Sequence, residues 1–228
     1  MDNKKPHYRV SLSEQALNHE KLMRAIVKNL ADTPMVLKGG TALYLGYGLN
    51  RFSEDLDFDC CKKINLKEEQ TLKLEISYRD APKESEVNMI EGMRIAKIER
   101  IIDNKLCACF DGEHTRTKAR DLFDLHFLAK HYEEHFNLDL ASRLKDFSKD
   151  PDKLVSDYLV DVKLDALLNQ IMDLEETALE LGVMAQLIHK KLEKQSHSLN
   201  ALQEQQNHNN NDLLDNANEN THTPKRKR

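Results

Sequence analysis

The chain has 228 residues, 39% hydrophobic and 32% charged, with a formal net charge of −5. That length allows one domain or two around a sizeable core, and an apolar share this low fits a helix-rich fold that also carries polar, unpacked length. The acidic balance excludes a protein that binds nucleic acid through its global charge, so any such contact must be a local patch. No apolar run approaches the roughly 20 residues that span a bilayer, which argues against a membrane partner.

The start, Met1 to Pro6, lacks the apolar stretch of a secretory signal, so a cytoplasmic location is expected. The four cysteines form an adjacent pair, Cys60 and Cys61, and a C-x-C, Cys107 and Cys109. Disulfides are not expected in such a chain. Reduced, buried thiols are the plain reading; a four-thiolate zinc site is the alternative, although neither spacing is the usual C-x2-C.

In chain order, Ser11 followed by Glu14 reads as a capping box opening a helix that runs to about Leu30. Pro34 stops further helix, and Met35-Val36-Leu37 is a short buried strand. Thr41 to Leu45 reads as the first turns of a helix ending near Gly46 or Gly48. Leu56, Phe58 and Cys60 alternate with Asp55, Asp57 and Asp59 in strand fashion. A further strand is predicted over Leu72 to Tyr78 and another over Val87 to Ile98, bent near Gly92, before a helix from Ile98 to Phe110. Arg120 to Lys130 is a predicted helix, and Asp150-Pro151 caps another. From Val160 through Leu164, Leu167, Ile171, Leu174, Ala178, Leu181, Ala185 and Ile188 to Leu192, apolar residues recur in steps of four and three. This heptad-type stripe predicts one long helix or two turning near Gly182, in a bundle or a self-pairing coil. From about 204 the chain is polar, and residues 204–228 are expected to be disordered. The resulting division is a mixed α/β unit over 1–115, a helical bundle over 116–203 and a tail over 204–228.

Three stretches carry chemistry. In Leu37-Lys38-Gly39-Gly40-Thr41, a strand gives way to two glycines and a hydroxyl residue at a helix start, which can bring backbone N–H groups against phosphate oxygens. It has neither the Walker A nor the Rossmann spacing, and a glycine turn without a ligand is the competing explanation. In Arg51-Phe52-Ser53-Glu54-Asp55-Leu56-Asp57, two carboxylates two residues apart on a strand share a face. They repel unless a cation sits between them, and oxygen ligands suit Mg²⁺ or Mn²⁺. Thirteen residues separate Thr41 from Asp55, enough for a helix and a return that brings the acidic pair to the glycine loop. Glu75, flanked by Leu74 and Ile76, can stand opposite the pair on a neighbouring strand, to bind a second metal or accept a proton. Finally, Arg116-Thr117-Lys118-Ala119-Arg120 precedes Asp121 and Asp124 at helical spacing, with Lys105 on the helix before. Cations here can hold a triphosphate and stabilise leaving pyrophosphate, or they can form ion pairs between the two regions.

Taken jointly and in this order, these residues resemble the AbiEii/AbiGii toxin family of polymerase-beta-like nucleotidyltransferases. The resemblance implies an α/β (α+β) nucleotidyltransferase core with a small mixed sheet followed by an all-helical bundle. It implies a nucleoside triphosphate as substrate with Mg²⁺ or Mn²⁺. It places triphosphate contacts on Lys38, Gly39, Gly40 and Thr41, with Arg51 and Ser53 beside them, metal on Asp55 and Asp57, and the later family motif on Lys105, Lys118, Asp121 and Asp124. Glu75 stands where the family's third acidic residue falls. An antitoxin partner and an RNA acceptor such as a tRNA end are implied by likeness. Transfer to a protein or small molecule, or a non-catalytic interaction protein keeping the fold, are the alternatives, and the oligomeric state is open.

Overall fold

The computed structural model describes residues 12–61, 74–79 and 81–219, the last 21 of these for the backbone alone. Among the described residues five strands form one sheet in the order β3-β2-β1-β5-β4. The first helix, α1 (Glu14–Asn29), is capped by Ser13, whose hydroxyl accepts from Ala16 N at 3.2 Å. Ser11 of the expected capping box lies outside the described residues.

The central strand β1 (Met35–Leu37) is buried at all three positions, as a strand covered on both faces requires. It pairs antiparallel with β2 (Leu56–Cys60), with Leu37 opposite Phe58, and parallel with β5 (Met93–Ala96), with Leu37 opposite Ile95. The outer strands are β3 (Leu74–Ser77), parallel to β2, and β4 (Val87–Ile90), antiparallel to β5. The mixed sheet expected from the sequence is therefore present.

One predicted strand is in fact two. Val87 to Ile98 was expected to be a single bent strand, but the chain reverses at Glu91 and Gly92, whose φ values are 50° and 78°. Two consecutive positive φ angles make the tight turn that suits antiparallel strands. Val87 and Met89 before Glu91-Gly92 and Met93 and Ile95 after it keep the same alternate positions, so periodicity alone reads the step as a bend in one strand.

The helix α2 (Gly39–Gly46) joins β1 to β2. After β5 the chain is helical: α3 (Ile98–Leu106), a wide turn over Cys107–Asp111, then α4 (Ala119–His131), α5 (Leu138–Phe147) and α6 (Pro151–Leu164). The short α7 (Leu168–Ile171) and the long α8 (Leu174–Glu219) complete the described fold. Asp150 caps α6 through Lys153 N, as its sequence predicts.

The heptad stripe does not run through one helix, and it does not turn at Gly182. Asp165 accepts from Leu167 N and Leu168 N, and Asp173 accepts from Glu176 N. These local caps restart the helix twice, because an Asp side chain offers the backbone donors an alternative to helix continuation. Consequently Val160 and Leu164 are 66% and 80% exposed, whereas Leu174, Ala178, Leu181, Ala185 and Ile188 are buried. Gly182 lies inside α8, where a Cβ would stand 3.1 Å from Ser148 O. It permits close packing there. α8 passes the boundary expected at 203, and residues 220–228 of the predicted tail lie outside the described residues.

The core crosses the division expected at 115. Leu43, Phe58, Ile95 and Ile102 belong to one contiguous cluster with Leu122, Leu125, Leu128, Leu144 and Leu181. No described helix is long and apolar enough to cross a membrane.

Candidate nucleotide and metal site

The end of β1 delivers the chain into the Lys38-Gly39-Gly40-Thr41 turn. Lys38 N donates to Asp57 O at 2.8 Å, so the turn is hydrogen-bonded to β2 from its first residue. Gly39 has φ +69°, and a Cβ there would stand 3.3 Å from Asp57 Oδ2. A Cβ on Gly40 would meet Arg51 Nη2 at 2.5 Å. Both glycines are thus required, one by its backbone angle and the other by close approach. The Thr41 hydroxyl is buried, and it donates to the Asp55 carbonyl while lying 2.8 Å from Ser53 Oγ. Thr41 and Ser53 therefore tie the start of α2 to the chain entering β2.

Along β2 the aspartates share one face of the strand. Asp57 lies directly beside Glu75 in the parallel β2–β3 register, and Asp55 precedes it by two residues. Burial pushes the Asp57 carboxyl up, and the charges of Glu75 and Asp55 push it further, against Lys38 and Lys105. The next aspartate, Asp59, is spent differently: it is buried and accepts from Lys38 Nζ at 2.5 Å and from Arg100 Nη2 at 3.0 Å. Lys38 is thereby held alongside the strand.

Opposite the acidic face stands a buried ion-pair network. Arg51 makes a two-pronged contact with Asp124, Nε to Oδ1 at 2.8 Å and Nη2 to Oδ2 at 2.7 Å. Lys105 Nζ bridges Asp121 Oδ1 and Asp124 Oδ2, both at 2.6 Å. Arg116 Nε reaches Asp121 Oδ2 at 2.9 Å. Burial opposes the Lys105 ammonium, but Asp124 and Asp121 outweigh it and raise its pKa. Burial likewise opposes the Asp121 carboxylate, yet Lys105 and Arg116 hold its pKa below the ordinary value. Three cations against two anions leave one positive charge in excess, and the Lys105 and Arg116 charges both act on Asp57.

The structure therefore brings together Lys38, Gly39, Gly40, Thr41, Arg51, Ser53, Asp55, Asp57, Glu75, Lys105, Asp121 and Asp124. Lys118 goes elsewhere: its ammonium pairs with Asp161 of α6 at 3.0 Å, while Asp161 also accepts from Ala119 N at the start of α4. Two basic residues escaped sequence reasoning as site members. Arg100 was hidden because nothing in its spacing marks it as the partner of Asp59. Arg116, 60% exposed on its side chain, was signalled only as part of a basic run.

Carboxylate oxygens are hard donors that suit Mg²⁺ or Mn²⁺, and the like-charge crowding on Asp57 is what a cation would relieve. Among the described residues no three His, Cys, Asp or Glu side chains are drawn together as a ready-made metal cage. Mg²⁺ is commonly bound through one or two carboxylates, with substrate phosphates and water completing its shell. The thiols give no support to the zinc alternative: Cys60 is buried and Cys61 exposed. Burial also raises Cys109 to about 12, which keeps it a protonated thiol at neutral pH.

Comparison with known proteins agrees with this geometry. The model of the "Nucleotidyl transferase AbiEii toxin, Type IV TA system" family matches residues 21–71 and 62–204. Among solved structures, JHP933 from Helicobacter pylori is 82% identical with a TM-score of 0.81, covering 85% of this chain and 100% of that one. A second H. pylori protein, provisionally assigned as a nucleotidyltransferase, is 81% identical with a TM-score of 0.77, covering 80% and 98%. No curated protein matches significantly. By the extent of the family match, by its sheet and by its acidic strand beside a two-glycine turn, the chain belongs to the AbiEii nucleotidyl transferase family of type IV toxin–antitoxin systems.

Proposed function

We propose that the chain transfers a nucleoside monophosphate from an NTP to a hydroxyl of an RNA acceptor, such as a tRNA end, as the toxin of a cytoplasmic toxin–antitoxin pair. The observation that carries this reading is Asp57, set between Gly39 and Glu75, with its carboxyl pushed up by burial and then by neighbouring negative charge. Mg²⁺ or Mn²⁺ held by Asp55 and Asp57 would neutralise triphosphate charge at this point.

The chain's own groups account for the rest. Gly39 and Gly40 let backbone N–H groups at the start of α2 approach the phosphates. Lys38, Lys105 and Arg116 supply positive charge where negative charge develops on leaving pyrophosphate. The acceptor oxygen bonds to the α-phosphorus as the bond to the β-phosphate oxygen breaks, and pyrophosphate departs with that electron pair. Glu75, exposed beside Asp57, accepts the acceptor's proton. Arg51 and Asp124 hold Gly40 and Lys105 in place. Thr41 and Ser53 fix the loop, and Asp121 positions Lys105 and Arg116.

The test is incubation with each labelled NTP and total tRNA, protein or small-molecule extract. Label should enter RNA, and Asp57→Ala should reduce it at least about 10³-fold, as expected for losing several kcal/mol of cation-mediated stabilisation. Label persisting in folded Asp57→Ala would refute the mechanism. Label entering protein or small molecules instead would replace the acceptor.

A further inference from the structure

The middle of α8 exposes an apolar stripe that neither the core nor the proposed site uses. Leu179, Val183 and Leu187 recur every fourth residue and are 58%, 58% and 62% exposed. At about 100° per residue they fall within a band about 80° wide, opposite Leu181, Ala185 and Ile188, which are buried. Glu176 and Lys190, both exposed, lie in the same band seven residues before and after Val183, and exposed Lys194 follows. The face is thus acidic at its N-terminal end, apolar at its centre and basic at its C-terminal end.

Turned end for end about Val183, this face complements itself. Val183 then meets Val183, Leu179 meets Leu187, and Glu176 meets Lys190. A parallel pairing would instead set Glu176 against Glu176 and Lys190 against Lys190, which costs free energy. We infer that α8 docks on α8 of a second copy of the chain in an antiparallel, two-fold symmetric pair centred on Val183. Self-complementary charge is what selects a second copy as the occupant. The contact closes on itself, so it yields a dimer and no larger array. Because α8 begins at Leu174, the paired stretch extends to its mirror position near 192 and is about 28 Å long at 1.5 Å per residue. A contact this small gives a reversible dimer with dissociation at about micromolar concentration.

The experiment uses the full chain with the exposed Cys61 replaced by serine. Light scattering over a concentration series should show the mass rising from the 26.4 kDa monomer toward twice that value, and Val183→Lys should keep it monomeric with unchanged circular dichroism. Under mild oxidation Val183→Cys should cross-link to itself. Leu179→Cys should not do so alone, but should cross-link when mixed with Leu187→Cys. Glu176→Lys and Lys190→Glu should each weaken the dimer several-fold, and the two together should restore it. A chain that stays monomeric throughout, with no Val183→Cys cross-link, would overturn the inference and leave the face to a different protein. Efficient self-linking of Leu179→Cys would equally overturn it, in favour of a parallel pair.

Discussion

Asp57 sits under two opposing demands. Its side chain is half-buried beside Glu75 and Asp55, so ionising it is unfavourable until a cation arrives, and its pKa is raised. For a carboxyl with a raised folded-state pKa the sign follows directly. The penalty is absent below the ordinary carboxylate pKa, where folded and unfolded chains are both protonated, and is fully felt once pH passes the raised value. Metal-free Asp57→Asn should therefore melt higher than the unaltered chain at pH 7 and equally at a pH below the carboxylate range. Mg²⁺ should stabilise the unaltered chain at pH 7 in scanning calorimetry and leave the variant unmoved. No such difference between the two would remove Asp57 from the metal site.

Lys105 and Arg116 both contact Asp121 but differ in burial, and their losses should differ in kind. Lys105 is 7% exposed, and its removal takes from Asp121 and Asp124 the buried cation they share, leaving each with one arginine partner. Lys105→Met should cost about 3 kcal/mol in urea unfolding, the loss of two buried charged hydrogen bonds. Arg116 is largely exposed, and an exposed ion pair contributes about 0–1 kcal/mol. Arg116→Ala should leave stability nearly unchanged while raising KM for NTP about tenfold, the equivalent of about 1.4 kcal/mol of phosphate binding.

At the scale of elements, the β1–α2 turn decides where the acidic strand lies. Gly39→Ala forces a side chain into the left-handed region, at about 1–2 kcal/mol, and presses on Asp57 Oδ2. Gly40→Ala keeps an ordinary backbone but displaces the Arg51 guanidinium from its place against the turn. Urea unfolding should show both variants destabilised, and transfer assays should show both impaired. A Gly40→Ala variant with unchanged stability would mean that Arg51 moves freely. At the junction of α4 and α6, Asp161 caps the start of α4 through Ala119 N and pairs with Lys118. Asp161→Ala should cost about 1 kcal/mol, as other N-cap losses do, without altering KM for NTP.

For the whole molecule, the sheet unit and the helices share one core. Leu122, Leu125 and Leu128 of α4 are fully buried in the cluster that contains Phe58 and Ile95. The Arg51–Asp124 and Lys105–Asp121 pairs bridge the same division. A fragment of residues 1–115 would expose that apolar surface and strand two buried cations, Arg51 and Lys105. It should lack the near-ultraviolet circular dichroism and dispersed NMR signals of a folded unit. A well-dispersed spectrum from the fragment would show that the sheet unit is stable alone.

The local order of residues was enough for β1, for the start of α2, for the alternation that places Asp55, Asp57 and Asp59 on one face, and for the caps at Asp150 and the α4 motif. Each rests on short-range periodicity or on a side chain bonding its own neighbourhood, which a single sequence displays. The Glu91-Gly92 step was legible as a bend but not as a full reversal, and the breaks at Asp165 and Asp173 were not legible, because the apolar stripe runs across them. Three further things were decided only by the tertiary structure: Asp59 taken by Lys38 and Arg100, Thr41 turned inward to Asp55, and Lys118 drawn to Asp161 while Arg116 remains at the acidic face. Those partners lie 14 to 43 residues apart along the chain. Which charge meets which at such separations is set by the packing of sheet against helices, not by spacing along the chain.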